Sequence, residues 1–369
     1  MHLGCAFIFF AGLIARAGLN RQANLPEQVR QPAGRMSNLH GNPSVILLAC
    51  SAHRITIAPR AKQFARDLAA HAIAPLLRRL APDPKYFELW QSHGFHVLPS
   101  DNYQPIPDTR VLPLSLWNRI SDLPGMDMRE EAQKQLLSEI AARFKDEYAA
   151  IPEGASTPEF HFYLGNVAFE AVDAEMLFGL IRFLKPRRMY EIGSGFSTLL
   201  AADALRRNGM DGCPCRFIAI DPYASAQLES ALPSGFELWR VPVQEVPLSE
   251  FQSLGENDIL FIDSSHVCKI GSDVEFLFLE VLPRIRPGVV VHAHDIFMPL
   301  EYPKQWVLDW HRFWNEQYLL QAFLSFNTTF EVLWAGQWMH IKYPELLTKA
   351  FPSYKAGVSA GSFWFRRTR

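Results

Sequence analysis

Residues able to do chemistry recur in the second half of the chain, each at the end of a short apolar run. They are Glu191 in YEIGSG, Asp221 in FIAIDPY, Gln244 in VPVQEV, Asp263 and His266 in DILFIDSSH, and His294 with Asp295 in VVVHAHD. A carboxylate just ahead of the small-residue turn Gly193-Ser194-Gly195 suits a ligand that carries positive charge. His266, three residues after Asp263, is the expected general base, because an imidazole titrates near working pH. The competing reading is a histidine that caps the following helix or bonds to backbone. The spacing His292-Ala293-His294 puts both rings on one face of a strand and raises the question of a metal. Asp263 and Asp295 are then the expected ligands, but magnesium prefers carboxylates and water to paired imidazoles. Magnesium is therefore possible and not favoured, and the preferred reading has Asp295 bonded to a loop N–H with His294 packed over the site.

These residues need a scaffold that gathers strand ends. The apolar runs RRMYEIG, RFIAID, ELWRVPV, DILFID and GVVVHAHD alternate with helical stretches at 197–207, from 224, and at 272–282. Such alternation predicts an α/β fold, a doubly wound, mostly parallel sheet with helices on both faces. Runs apolar throughout suit strands buried on both sides. FEVLWAG (330–336) and SFWFRR (362–367) are expected to extend the far edge, making seven strands. Ligands of such sheets bind outside the carboxyl ends of the strands.

Upstream, 59–80, 128–148 and 172–184 have helical spacing, while the Pro-, His- and aromatic-rich stretch 84–125 cannot be one long helix. The expected organisation is a weakly ordered extension over 1–55, a helical and loop-rich cap or substrate layer over 56–159, and a cofactor-binding domain over 160–369. The apolar run at 5–15 is too short to span a bilayer, and only His2 precedes it where a secretory signal would want basic residues. A formal charge of −2, from 36 basic and 38 acidic residues, gives no general attraction to nucleic acid or anionic membrane. Five scattered cysteines fit neither a redox pair nor a zinc site, and they suit a reducing cytoplasm.

Several cofactors compete for the Gly193–Ser197 loop. A GxxxxGK[ST] phosphate loop is excluded because no lysine follows at the required place. A dinucleotide asks for a third glycine where Ser197 stands, and its diphosphate would be repelled by Glu191. A phosphate-free cofactor with a cationic amino-acid end is instead attracted, and S-adenosylmethionine is one. Its ribose diol asks for an acceptor at the end of the next strand, where Asp221 sits. An acid there would serve NAD equally, so Glu191 and the missing glycine decide. The alternatives are an NAD(P)- or nucleotide-sugar-dependent oxidoreductase on the same sheet and a non-catalytic Rossmann-like binding module.

The segment from Arg187 to Asp295 resembles the class I S-adenosylmethionine-dependent methyltransferases through EIGSGFST (191–198), IDPY (220–223), VPVQEV (241–246), DILFIDSSH (258–266) and PGVVVHAHDIF (287–297). It looks most like a branch of predicted bacterial methyltransferases with IDSSH and HxHDIF segments, and 166–177 and 316–332 look like that branch too. The resemblance implies a Rossmann-like methyltransferase fold. It also implies that Glu191, Gly193, Ser194 and Gly195 hold the methionine end, Asp221 the ribose hydroxyls and Gln244 the adenine border, with Asp263 beside the transferred methyl. An O-methyltransferase is expected rather than an N-methyltransferase, acting on a hydroxyl of a small molecule or saccharide. The acceptor side is expected from His93, His96, Tyr103 and the 301–306 loop with Tyr302, and from His294 and Asp295. Asn166, Asp173 and Glu175 are expected to border the cofactor.

Overall fold

The computed structural model describes residues 59–155, 161–355 and 360–369. The extension expected over 1–55 lies outside them. Five of the apolar runs form β1 (Arg188–Ile192), β2 (Arg216–Ile220), β3 (Glu237–Trp239), β4 (Ile259–Ile262) and β5 (Val290–Ala293). These pair in parallel, and β6 (Phe330–Ala335) and β7 (Phe363–Arg367) complete one seven-stranded sheet in the order β3-β2-β1-β4-β5-β7-β6. All four residues of β4 and of β5 are buried, as strands covered on both faces must be. The order reverses between β1 and β4, which opens a crevice at their carboxyl ends.

The last two strands do extend the sheet, but not in sequence order. SFWFRR becomes β7 and lies between β5 and β6, antiparallel to both, so FEVLWAG forms the edge. The physical reason lies in its side chains. Phe363, Trp364 and Phe365 are at most 1 % exposed, and a strand apolar on both faces is favoured inside a sheet.

Helices cover both faces. Asp173–Leu184 packs against Phe196–Met210 on one side and Glu130–Tyr148 on the other. Gly179 permits the second contact, since a Cβ there would meet Ile140 Cγ2 at 2.4 Å. The stretch expected as a helix over 272–282 starts at Asp273, capped by the Ser272 side chain. It relaxes into a π turn at Leu277–Val281 and a 3₁₀ turn at Leu282–Arg284, where Pro283 has no N–H to continue the ladder. Contacts group residues 73–369 as one unit, so Glu130–Tyr148 belongs with the sheet. The 59–80 pattern does form a helix, Pro59–Leu80, whose described side chains are exposed or half-exposed, Phe64 by 70 %. Among the described residues, no helix is long and apolar enough to cross a membrane.

Candidate active site

The turn after β1 is built around one close approach. Gly193 has φ +90°, and a Cβ on it would lie 1.9 Å from the Asp263 carbonyl oxygen. Only glycine lets the ends of β1 and β4 come together there. The Gly193 N–H donates to Ile220 O at 3.0 Å and Asp263 N–H to Ile192 O at 2.9 Å, tying three strand ends into one rim. Gly195 N–H donates to Thr198 Oγ1 at 2.9 Å as the helix Phe196–Met210 begins.

Ser197, which stands where a dinucleotide loop would have its third glycine, has a bond of its own. Its hydroxyl donates to Glu191 Oε1 at 2.6 Å. Glu191 is fully buried beneath the loop, and among the described residues its Oε2 has no hydrogen-bond partner. Burial pushes its carboxyl up to about 8 against the opposing pull of Ser197 and Thr198. On the rim, Ser194 Oγ donates to Asp221 Oδ2 at 2.5 Å, and Tyr223 N–H to Asp221 Oδ1 at 2.8 Å. Gln244 Nε2 donates to Gly271 O at 2.9 Å. Gly193, Ser194, Asp221, Tyr223, Gln244 and Asp263 line a cleft of about 560 Å3, within the range of small-molecule sites.

Beside this cleft the ends of β4 and β5 bring a charged cluster together. His266, in a left-handed turn at φ +59°, has Nδ1 2.9 Å from Glu316 Oε2. Its Nε2 faces Asp263 Oδ1 at 3.4 Å and Asp295 Oδ2 at 3.6 Å, and its ring packs 4.3 Å from that of Trp314. Burial works against charging the imidazole, but Asp263 and Glu316 outweigh it and raise its pKa well above the usual value. Burial would raise Asp263, yet His294 and His266 hold it down to about 2. Asp295 is raised by burial, with His294, His266 and Arg312 opposing. His294 is raised too, since Asp295, Asp263 and Asp173 overcome its desolvation. A histidine with carboxylates on both nitrogens keeps its proton, so this arrangement presents a fixed imidazolium more readily than a free base.

The two histidines of HAH share a face, their ring centroids 5.6 Å apart, but only His294 reaches the carboxylates. His292 stacks on Phe261 at 3.9 Å, meets Ser362 Oγ through Nε2 at 3.0 Å, and is kept neutral by burial. Asp263 and Asp295 do come together, and His266 joins them. One ligand atom from each lies within 4.8 Å of the others, a spacing able to hold a cation.

Other residues singled out by the sequence do not line the cleft. Tyr103 is 95 % exposed, and His96 stacks on Phe87. Tyr302 is buried, its hydroxyl accepting the Gln317 N–H at 3.1 Å. Among the described residues, Asn166 bonds within its own turn, to Tyr163, Ala168 and Phe169. Asp173 accepts the N–H groups of Gly361 and Ser362, and Glu175 accepts from Val172 N–H and the Ser353 hydroxyl. Glu316, Trp314 and Arg312 escaped the sequence reading. Glu316 is 50 residues from His266, so only the fold places them together.

Residues 190–296 match the family model described as a methyltransferase domain. An uncharacterized protein of Archaeoglobus fulgidus is 31% identical over 172 residues, covering 44% of this chain and 75% of that one. Among solved structures, the chain is similar to the O-methyltransferase TomG of Streptomyces achromogenes, involved in tomaymycin synthesis and bound to SAM. The TM-score is 0.34 and the identity 17%, over 64% of this chain and 90% of that one. It is similar as well to an O-methyltransferase of Bacillus cereus in complex with SAH, with TM-score 0.32 and 16% identity over 64% and 91% of the two chains. The chain thus belongs to the family of the Archaeoglobus protein, and the part that builds the cleft lies within the residues that match the methyltransferase-domain model.

Proposed function

We propose that the protein transfers the methyl group of S-adenosylmethionine to a hydroxyl oxygen of a small molecule or saccharide. The observation that carries this reading is Asp263, at the end of β4, which lines one cleft with Asp221, at the end of β2, and also joins His266 and Asp295 in the charged cluster beside it. When bound, S-adenosylmethionine supplies an electrophilic methyl group. The residues fit it: Glu191 keeps one buried oxygen without a partner among the described residues, and Gly193 leaves bare backbone at the cleft wall. Asp221 takes the ribose hydroxyls, Gln244 borders the adenine, and the loop Gly193-Ser194-Gly195 takes the methionine end. Alignment of oxygen and methyl is the main catalytic task. His266, anchored by Glu316, positions Asp263 and Asp295, and the hydroxyl proton leaves to one of these carboxylates.

A second reading is favoured by the spacing of Asp263, His266 and Asp295. A divalent cation held there would acidify the acceptor hydroxyl. Glu316 on Nδ1 is the partner that orients a metal-binding imidazole, and a ligand set with one imidazole suits manganese or another transition ion better than magnesium.

Calorimetry tests both. S-adenosylhomocysteine is expected to bind, and Asp221→Ala to weaken it about tenfold or more, as loss of a charged acceptor does. Binding of NAD in its place would hand the sheet to the oxidoreductase alternative. Manganese titrated into the S-adenosylhomocysteine complex is expected to bind once and to lose its site in Asp263→Ala; absence of heat removes the cation.

A further inference from the structure

A second cavity lies between the 105–117 segment and the 301–318 segment. It measures about 270 Å3 and is walled by Trp117, Tyr302, Trp314 and Tyr318, with Arg312 at its side. That volume, at the small end for ligand sites, suits one ring with a substituent. Trp314 is shared with the reaction cluster, because its indole packs 4.3 Å from the His266 ring. Asn315, another wall residue, donates its N–H to His266 O at 3.1 Å. Trp314 and Asn315 therefore border this cavity and also touch His266 of the reaction cluster.

The charges in the cavity are not equally committed. Glu301 already receives the Tyr302 N–H at 2.8 Å, Gln317 Nε2 at 3.2 Å and the Tyr318 hydroxyl. Arg312 is in the opposite state. Its guanidinium carbon lies 4.9 Å from the ring centroids of Trp306 and Trp310 and 5.0 Å from that of Trp314. Trp306 lies only 5.9 Å from Trp310 and 5.3 Å from Trp314, so the indoles gather on one side of the cation. Among the described residues no carboxylate forms an ion pair with it, although its charge acts on Asp295. Arg312 is exposed, so a guanidinium backed by indoles on one side keeps its other side open to a carboxylate, phosphate or sulfate.

We propose that this cavity is the acceptor subsite and that it selects a ring-bearing acceptor carrying an anionic group, which pairs with Arg312. The inference rests on the methyltransferase reading above. It limits the acceptor class to acidic ring compounds, with neutral sugars and cationic amines excluded.

The test uses an isosteric pair, 4-hydroxybenzoate and 4-hydroxybenzamide, titrated into the full chain saturated with S-adenosylhomocysteine. The carboxylate is expected to bind about tenfold tighter than the amide, the worth of a charge-assisted fork. In Arg312→Gln that preference disappears while S-adenosylhomocysteine binding stays unchanged, which also reports that the variant is folded. Arg312→Lys keeps the charge without the planar fork and is expected to fall between. Equal affinity for the pair, a preference surviving Arg312→Gln, or no binding of either probe to a protein that binds S-adenosylhomocysteine overturns the subsite. If wild type fails to bind S-adenosylhomocysteine, the methyltransferase reading fails, and a charge preference measured without it still supports the subsite.

Discussion

At the residue scale, Glu191 couples stability to ligand charge. Its carboxyl is pushed from 4.5 up to about 8 by burial, so between those values the folded chain holds a proton that the unfolded chain has released. Stability from this group is full below pH 4.5, falls by about 1.4 kcal/mol per pH unit through the window, and is lost above pH 8. Glu191→Gln is expected to flatten this decline in urea titrations at pH 5 and pH 8, and to weaken S-adenosylhomocysteine several-fold. A cationic ligand should drive the proton off, so calorimetry at pH 7 in buffers of different ionisation enthalpy is expected to register proton release in wild type and none in the variant. Gly193 makes a steric prediction. Gly193→Ala forces a Cβ to 1.9 Å from backbone at φ +90°, and a loss of about 3 kcal/mol or more, with loss of cofactor binding, is the expected result of denaturation and calorimetry.

At the element scale, β7 decides where Asp295 sits. Asp173, at the start of the helix Asp173–Leu184, accepts the N–H of Gly361 at 2.7 Å and of Ser362 at 3.0 Å, just ahead of β7. Gly361 in turn lies against Asp295, where a Cβ would come 3.3 Å from its Cα, and accepts the Ile296 N–H at 2.9 Å. One buried carboxylate thus locks a strand that packs under the reactive cluster. Asp173→Ala leaves two buried N–H groups unpaired and is expected to cost about 3 kcal/mol in urea denaturation. Asp173→Asn, which keeps one acceptor, should cost less, and no cost in either variant would show that the strand is held by its apolar side chains alone.

At the scale of the whole molecule, every residue of the cleft and of the charged cluster lies within the unit 73–369. A chain beginning at Ile73 is therefore expected to keep ligand-linked stabilisation, about 2.7 kcal/mol at a hundredfold excess of S-adenosylhomocysteine over its Kd. Thermal melts of the full and shortened chains check this. A shortened chain that melts at one temperature with and without the ligand would place part of the site in the first 72 residues.

The sequence by itself determined the parallel sheet and the rim of polar residues, because both depend on short-range patterns. Apolar runs such as DILFID must be buried on both faces, and the residue ending each run must emerge at the ligand edge. Gly193, Asp221 and Asp263 were legible for that reason. The tertiary structure alone decided what those residues touch. Ser197 reads as a missing glycine in sequence and as the hydroxyl partner of Glu191 in space. His266 stands alone in the sequence, and in space it sits between Glu316, 50 residues on, at Nδ1 and Asp263 and Asp295 at Nε2. The final strand slips between β5 and β6 because its buried aromatic faces need neighbours on both sides, and a pattern along one segment cannot say which neighbours those are.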